Sequence, residues 1–590
     1  MRINRTIISL LFVCLVPLNG SCSSGEGSTG TGGDTPEQNV TFVTLSTDKA
    51  CYSPGETVTF TSSSLPSSAK AAYYYLGDKL SEQPLSSTTW NWTAPSTDYR
   101  GYMVKVYTTT SDGKETVLGS IAVDVSSDWT QFPRYGFLSN FDDMSTSAIN
   151  SVITSLKRYH INGLQFYDWQ YKHHKPLAGT PDKPDNNWTD IANRNTSLTT
   201  VKNYISAAHK AGMKTMFYNL CYGVLSDAAS DGAETSWNLY KDRNHSNRDV
   251  CSLSAPMFKS SIYLVDPNNT GWQNYLAKQN NDVYSVFDFD GYHIDQLGDR
   301  GADYDYNGNA IDMAAGFKSF IQAMKAKHPG KRLVMNAVAR YGQQKIAESG
   351  NVDFLYNEVW SNDANYSSLK DIIDENSSYG NYKTVFAAYM NYDKANSKGY
   401  FNTPGVILAD AVMFALGGSH LEMGEHMLGK EYFPNSNLQM DGTLQKAMVS
   451  YYDFLTGYEN LLRNGGLFST VDLSCTNGKM NVSAWPPSTG NVSVLAKKVN
   501  SKCEVIHLIN LSNANYFSWR DLDGSMPEPS LISTPSLRLK ETNTIKRIWF
   551  ASPDIDGGVS QEVEFHQSAA SVTFKLPSLK YWDMIVVEYQ

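Results

Sequence analysis

Asp295 closes the apolar run GYHIDQLG and Glu358 closes YNEVW, so each carboxylate stands among side chains suited to a buried strand. An Asp and a Glu facing each other across a barrel mouth can cleave a glycosidic bond. One captures the anomeric carbon, while the other, its pKa raised by its surroundings, protonates the leaving oxygen. Further polar and aromatic residues come late in similar runs. Tyr167, Asp168, Asn219, Asn357, His420 and Glu422 can bond sugar hydroxyls, and Trp169, Tyr222 and Trp360 can stack on pyranose faces. Any one of these can equally be a packing residue or a support for its neighbours.

Rival chemistries are less well supplied. DYDYNGNAID (303–312) opens like a Ca2+ loop, with Asp303, Asp305 and Asn307 before Gly308, but Ala314 stands where the acidic twelfth residue belongs. His173-His174 and the set His420, Glu422, Glu425 and His426 reproduce neither HExxH nor its variants, and no GxSxG is present. No metal and no cofactor is expected.

The carboxylates need a frame. From residue 129 to 465, apolar strand-like runs alternate with amphipathic stretches, the βαβα texture of a parallel sheet. Eight such pairs are counted, with strands expected at 134–141, 161–169, 214–222, 291–298, 332–339, 353–360, 384–392 and 420–425. Helices follow them, as over 311–327, where Met313, Phe317, Phe320, Ile321 and Met324 form one stripe. Eight successive units predict a (β/α)8 TIM barrel, whose strand C-termini carry function. An open doubly wound sheet is disfavoured, because no Gly-rich phosphate loop follows the first strand. Long connections at 171–198 and 223–268 are candidate cleft walls.

On either side the helical texture disappears. Residues 38–128 read as an immunoglobulin-like β-sandwich, with turns at Pro54-Gly55 and Asp112-Gly113, and 466–590 read as a C-terminal antiparallel β-sandwich. Residues 1–21 carry Arg2 and Arg5, an apolar run and small residues before Cys22, the pattern of an export leader; Cys22 is then a candidate lipidation site. Residues 22–37 follow as a lipidated Cys and flexible tether. An exported bacterial outer-membrane lipoprotein, attached to the membrane only through that anchor and monomeric, is the expected form. Five cysteines beyond Cys22 make no disulfide framework, although Cys475 and Cys503 lie on neighbouring predicted strands. A net charge of −10 has the wrong sign for a nucleic-acid partner. Charged residues are 18% and aromatics 12% of the chain, a balance suited to a neutral, hydroxyl-rich substrate.

INGLQFYDWQYKHH (161–174), DFDGYHIDQLG (288–298), VDFLYNEVW (352–360) and HLEMGEHMLGKEYFPN (420–435) resemble glycoside hydrolase family 66, the dextranases and cycloisomaltooligosaccharide glucanotransferases. The resemblance covers nearly the whole mature chain and implies the same order of sandwich, barrel and sandwich. It also implies that Asp295 is the nucleophile and Glu358 the general acid/base of a retaining enzyme cutting α-1,6-glucosidic links. Dextran and isomaltooligosaccharides are the implied partners. The glucanotransferases of the family carry an additional carbohydrate-binding module inserted in the barrel. Here the seventh and eighth strands stand only about 28 residues apart, which favours a hydrolytic endo-dextranase. The alternatives are a transglycosylase, an enzyme opening cyclic isomaltooligosaccharides, or a non-catalytic glycan-binding surface lipoprotein.

Overall fold

Eight parallel strands, each followed by a helix, form the centre of the computed structural model, which describes residues 43–590. The leader, Cys22 and the tether lie outside the described residues. The strands are β1 (Tyr135–Leu138), β2 (Gly163–Phe166), β3 (Lys214–Leu220), β4 (Gly291–Asp295), β5 (Arg332–Val338), β6 (Leu355–Val359), β7 (Thr384–Ala388) and β8 (Ser419–His420). Each falls in a run expected from the sequence, β8 beginning one residue earlier. They pair in chain order from β1 to β8. Across the remaining gap the Phe137 N–H donates to the Met423 carbonyl at 3.0 Å, so the sheet nearly closes on itself.

The helices are α1 (Thr146–Arg158), α2 (Leu198–Lys210), α3 (Thr270–Val286), α4 (Met313–Lys327), α5 (Gln343–Glu348), α6 (Tyr366–Ser378), α7 (Thr403–Ala415) and α8 (Gly442–Gly457). Polar caps start several of them: Ser145, Ser197, Asn269, Asp312 and Asp441 each accept from a backbone N–H of the first turn. In α4 the buried stripe is Met313, Phe317, Phe320, Ile321 and Met324, as its spacing predicts.

Strand parity sorts the barrel residues into two sets. Tyr135, Phe137, Met216, Val334, Phe354, Tyr356, Val385, Ala387 and Leu421 pack together inside the barrel. The intervening residues, Leu138, Phe166, Phe217, Tyr292, Ile294, Met335 and Phe386, join the core between sheet and helices. Parity therefore decides which late-strand residues can reach a ligand at the barrel mouth.

Antiparallel sheets flank the barrel in sequence. Residues 45–125 build a three-stranded and a four-stranded sheet whose aromatic rings meet, with Tyr73 stacked on Trp92 at 4.7 Å between centroids. Residues 467–589 build a larger sheet and a four-stranded one; within them Val482–Ala484 pairs parallel with Val492–Asn500, an exception to an all-antiparallel pattern. Cys475 and Cys503 lie on different sheets, and all five cysteines among the described residues are free. Residues 42–590 form one compact unit. A fully buried ion cluster helps to bind it: Arg134 pairs with Asp124 of the N-terminal sheet and with Glu459 beyond α8. Asp453 of α8 accepts from both guanidinium nitrogens of Arg158, from His160 and from the Ala122 N–H. Among the described residues no helix is long and apolar enough to cross a membrane.

Candidate active site

Asp295 ends β4 and Glu358 lies next to last in β6, with β5 between them. Both fall on the inward parity of their strands. From β5, the inward-facing Asn336 reaches both: its Nδ2 donates at 2.8 Å to Asp295 Oδ1 and at 2.8 Å to Glu358 Oε2. Those two carboxylate oxygens therefore lie no farther apart than twice 2.8 Å. That spacing suits a retaining pair, for which about 5 to 5.5 Å is usual, and leaves no room for the water held between an inverting pair. The remaining oxygens are also engaged. Tyr218 Oη of β3 donates to Asp295 Oδ2 at 2.6 Å, and Tyr389 Oη, just past β7, donates to Glu358 Oε1 at 2.8 Å.

The two carboxyls differ electrostatically. Burial raises the pKa of Asp295, opposed by the hydrogen bonds from Tyr218 and Asn336. Burial also raises that of Glu358, and the negative charge of Asp295 adds to it, taking Glu358 to about 7 despite the bonds from Asn336 and Tyr389. Glu358, 9% exposed, can thus carry a proton near neutrality. Two carboxyls split in this way can divide the work of proton donor and nucleophile between them.

Around this pair, Tyr167 lines the mouth, its ring stacked on Phe433 at 4.2 Å and its hydroxyl donating to the Glu431 carbonyl at 3.2 Å. Asp168 turns the chain out of β2 at φ +50°, a conformation that carries strain in a residue with a Cβ. Its Oδ1 is buried without a partner, and burial pushes its pKa to about 7 although Arg194 opposes the shift. Trp360, half-buried, packs on Tyr389 and Tyr392 at 5.5 and 6.1 Å.

Six of the expected sugar-binding residues do not face the mouth: Asn219, Asn357, His420 and Glu422 fall on outward parity, and Trp169 and Tyr222 lie beyond the ends of β2 and β3. Trp169 is 0% exposed and packs edge-on against Trp188, Phe217 and Phe287 in the outer core. Tyr222 is fully buried, stacked on Phe317, with its hydroxyl accepting from the Leu297 N–H at 2.7 Å. Asn219 bonds to His173, and Asn357 bonds to Gln343 and Asn376 beneath the helices. His420 and Glu422 form a buried triad with Asp410. His420 Nδ1 lies 2.8 Å from Asp410 Oδ1 and 3.1 Å from Glu422 Oε2, while its Nε2 donates to the Ala388 carbonyl at 2.7 Å. Burial opposes protonation of this ring, but the two carboxylates outweigh it and raise its pKa. The triad thus props the end of β7, where the next residue, Tyr389, bonds Glu358.

Sequence reasoning missed Tyr218, Asn336 and Tyr389. Counting by twos along β3 and β5 places Tyr218 and Asn336 on the inward face, a signal that the attention to terminal residues passed over.

Two clusters offer metal-binding residue types. In the first, His174, Asp227 and Asp231, the Lys172 ammonium lies 2.7 Å from both aspartates and Lys175 lies 3.1 Å from Asp231. A metal would have to displace two cations. In the second, the triad of Asp410, His420 and Glu422, the imidazolium already supplies the positive charge. Asp303, in the loop resembling a Ca2+ site, is paired with Lys241 at 2.8 Å.

The sequence model of glycosyl hydrolase family 66 matches residues 47–586. A cycloisomaltooligosaccharide glucanotransferase of Niallia circulans is 29% identical, the match covering 92% of this chain and 71% of that protein. A dextranase of Streptococcus salivarius is 23% identical over 83% of this chain and 68% of its own length. Among solved structures, a Paenibacillus cycloisomaltooligosaccharide glucanotransferase complexed with cycloisomaltoheptaose superposes with a TM-score of 0.81 at 25% identity, covering 92% of this chain and 99% of that one.

Proposed function

The chain belongs to glycosyl hydrolase family 66, and from that premise we propose that it cuts α-1,6-glucosidic links inside dextran by double displacement, releasing isomaltooligosaccharides. The observation that supports the reading is the single Asn336 amide bonded to both carboxylates, which keeps two of their oxygens within the spacing usual for a retaining pair.

In the first step an oxygen of Asp295 forms a bond to the anomeric carbon as the bond to O6 of the departing sugar breaks, and Glu358 gives its proton to that O6. The product is a glucosyl ester on Asp295. Esterification removes the negative charge that helped raise the pKa of Glu358, so that pKa falls and Glu358, having given up its proton, stays ionised and can act as the carboxylate base. It then takes a proton from water, whose oxygen attacks the anomeric carbon and releases Asp295. No cofactor enters either step.

Transfer to a sugar hydroxyl instead of water is the second reading, favoured by the relatives named glucanotransferases. The alignment with the Niallia circulans protein extends over 701 residues, more than the 590 of this chain, so that relative has residues within the matched span with no counterpart here. This supports hydrolysis over cyclisation. Export and lipid attachment at Cys22 belong to the same proposal.

Size analysis of products from dextran, with starch as control, tests it. Rapid shortening of dextran to linear isomaltooligosaccharides with starch spared supports the reading. Cyclic products would favour transfer, and dextran bound but left intact would favour a glycan-binding protein.

A further inference from the structure

Between the strands Cys503–Ile509 and Ile532–Ser533, the chain leaves the C-terminal sheet and crosses to the rim of the barrel mouth. Backbone bonds fasten this excursion to the loops after β6 and β7. The Tyr366 N–H donates to the Phe517 carbonyl at 2.9 Å, the Trp519 N–H to the Ala364 carbonyl at 3.0 Å, and the Asn391 N–H to the Arg520 carbonyl at 2.9 Å. Trp519 Nε1 donates to the Asp363 carbonyl at 2.7 Å. Asp521 sits at φ +41°, and its carboxylate accepts from the Ser525 and Met526 N–H groups and from Asn391 and Asn402. So many bonds on one short turn over-determine the conformation of the residue beside it.

That residue is Arg520. It is only 6% exposed, yet its side chain makes no hydrogen bond to protein among the described residues, and its Nε is buried without a partner. Its guanidinium lies 5.5 Å from the Trp360 ring and 5.0 Å from the Tyr392 ring. Trp360 stands two residues after Glu358 and packs on Tyr389, which bonds Glu358. A planar cation with five donors, held on aromatic faces at the acid/base side of a cleft, is equipped to bond the hydroxyls of a flat-faced sugar.

We propose that Arg520, supplied by the C-terminal region, completes with Trp360 a glucosyl-binding subsite on the Glu358 side of the cleft. The proposal rests on the α-glucan reading above. It makes the C-terminal region part of the binding site as well as a support for the barrel.

The test uses the full chain and the variants Arg520→Met and Arg520→Lys, assayed on linear isomaltooligosaccharides and on an aryl α-isomaltoside whose leaving group offers no hydroxyls to this subsite. Loss of a charge-assisted bond predicts that Arg520→Met raises KM for the oligosaccharides about tenfold or more. KM for the aryl substrate stays unchanged, Tm shifts little, and Arg520→Lys recovers part of the loss. Unchanged KM on both substrates overturns the proposal, as does a parallel loss on both that follows a fall in Tm. If the wild type acts on neither substrate, the α-glucan reading falls and this proposal with it. An active wild type with an indifferent Arg520→Met sinks this proposal alone.

Discussion

Asn336 donates to both carboxylates, so removing it acts on each of them. Asn336→Ala takes away a bond that stabilises ionised Glu358, whose pKa must then rise, and it frees the two side chains to drift apart. A pH profile of kcat/KM is expected to show about a 10²-fold loss, with the alkaline limb moved to higher pH. In the wild type, activity is expected to fall as pH rises through about 7, where Glu358 loses its proton, and to fall on the acid side as Asp295 gains one. Glu358 also links pH to stability. Its pKa is higher folded than unfolded, so stability is lost as pH climbs from the ordinary carboxylate range through about 7. Glu358→Gln should therefore raise Tm at pH 8 by more than at pH 5, by the equivalent of about 3 kcal/mol at most, while slowing dextran cleavage at least about 10²-fold. Asp295 and Glu358 were legible in the sequence because carboxylates ending apolar runs stand out. Tyr218, Asn336 and Tyr389 were not, since a Tyr or Asn in a strand carries no signal until the register assigns its face.

At the scale of elements, all eight strands fell in apolar runs alternating with amphipathic stretches, and the buried stripe of α4 was equally visible. Side-chain direction was the harder part. Trp169, Asn219, Tyr222 and Asn357 were expected to meet sugar because they come late in their runs, but Asn219 and Asn357 fall on the outward parity of β3 and β6, where a shift of one residue exchanges barrel interior for helix layer, and Trp169 and Tyr222 lie beyond the ends of β2 and β3, where the chain has left the strand. The excursion over 510–531 was invisible for a different reason: its contacts join segments more than a hundred residues apart, which local pattern does not report. It has a sharp mechanical consequence in α7. A Cβ added at Gly405 would meet Asp521 Oδ2 at 2.1 Å, so Gly405→Ala must displace the turn that carries Arg520. Thermal unfolding should show a destabilisation of about 1 to 3 kcal/mol. If the subsite proposal holds, KM for oligosaccharides rises with it, whereas an unchanged Tm would mean that the turn yields freely.

Across the molecule, the flanking sheets and the barrel share buried charge. Arg134 →Met leaves Asp124 and Glu459 ionisable and buried without their cation, a change that costs roughly 3 to 5 kcal/mol in comparable buried pairs. Denaturant unfolding at neutral pH is the measurement, and a loss below about 1 kcal/mol would show that the cluster relaxes around the gap. The same cluster argues that the N-terminal sheet stabilises the barrel rather than hanging from it, because Asp124 reaches Arg134, just before β1, and the Ala122 N–H reaches Asp453 of α8. Sequence texture distinguished sheet-like from barrel-like stretches but gave no view of these buried contacts, which join residues 122–160 to Asp453 and Glu459 about 300 residues on.

The central claim is that Asp295 carries the sugar between the two steps. Its most direct test is the mass of the intact Glu358→Gln variant after incubation with an activated α-glucosyl fluoride, a substrate that needs no acid to leave. The account predicts a stable increment of one glucosyl residue, mapping by peptide analysis to the segment that contains Asp295. An unmodified protein that still turns over the fluoride, or a label on another residue, would contradict it.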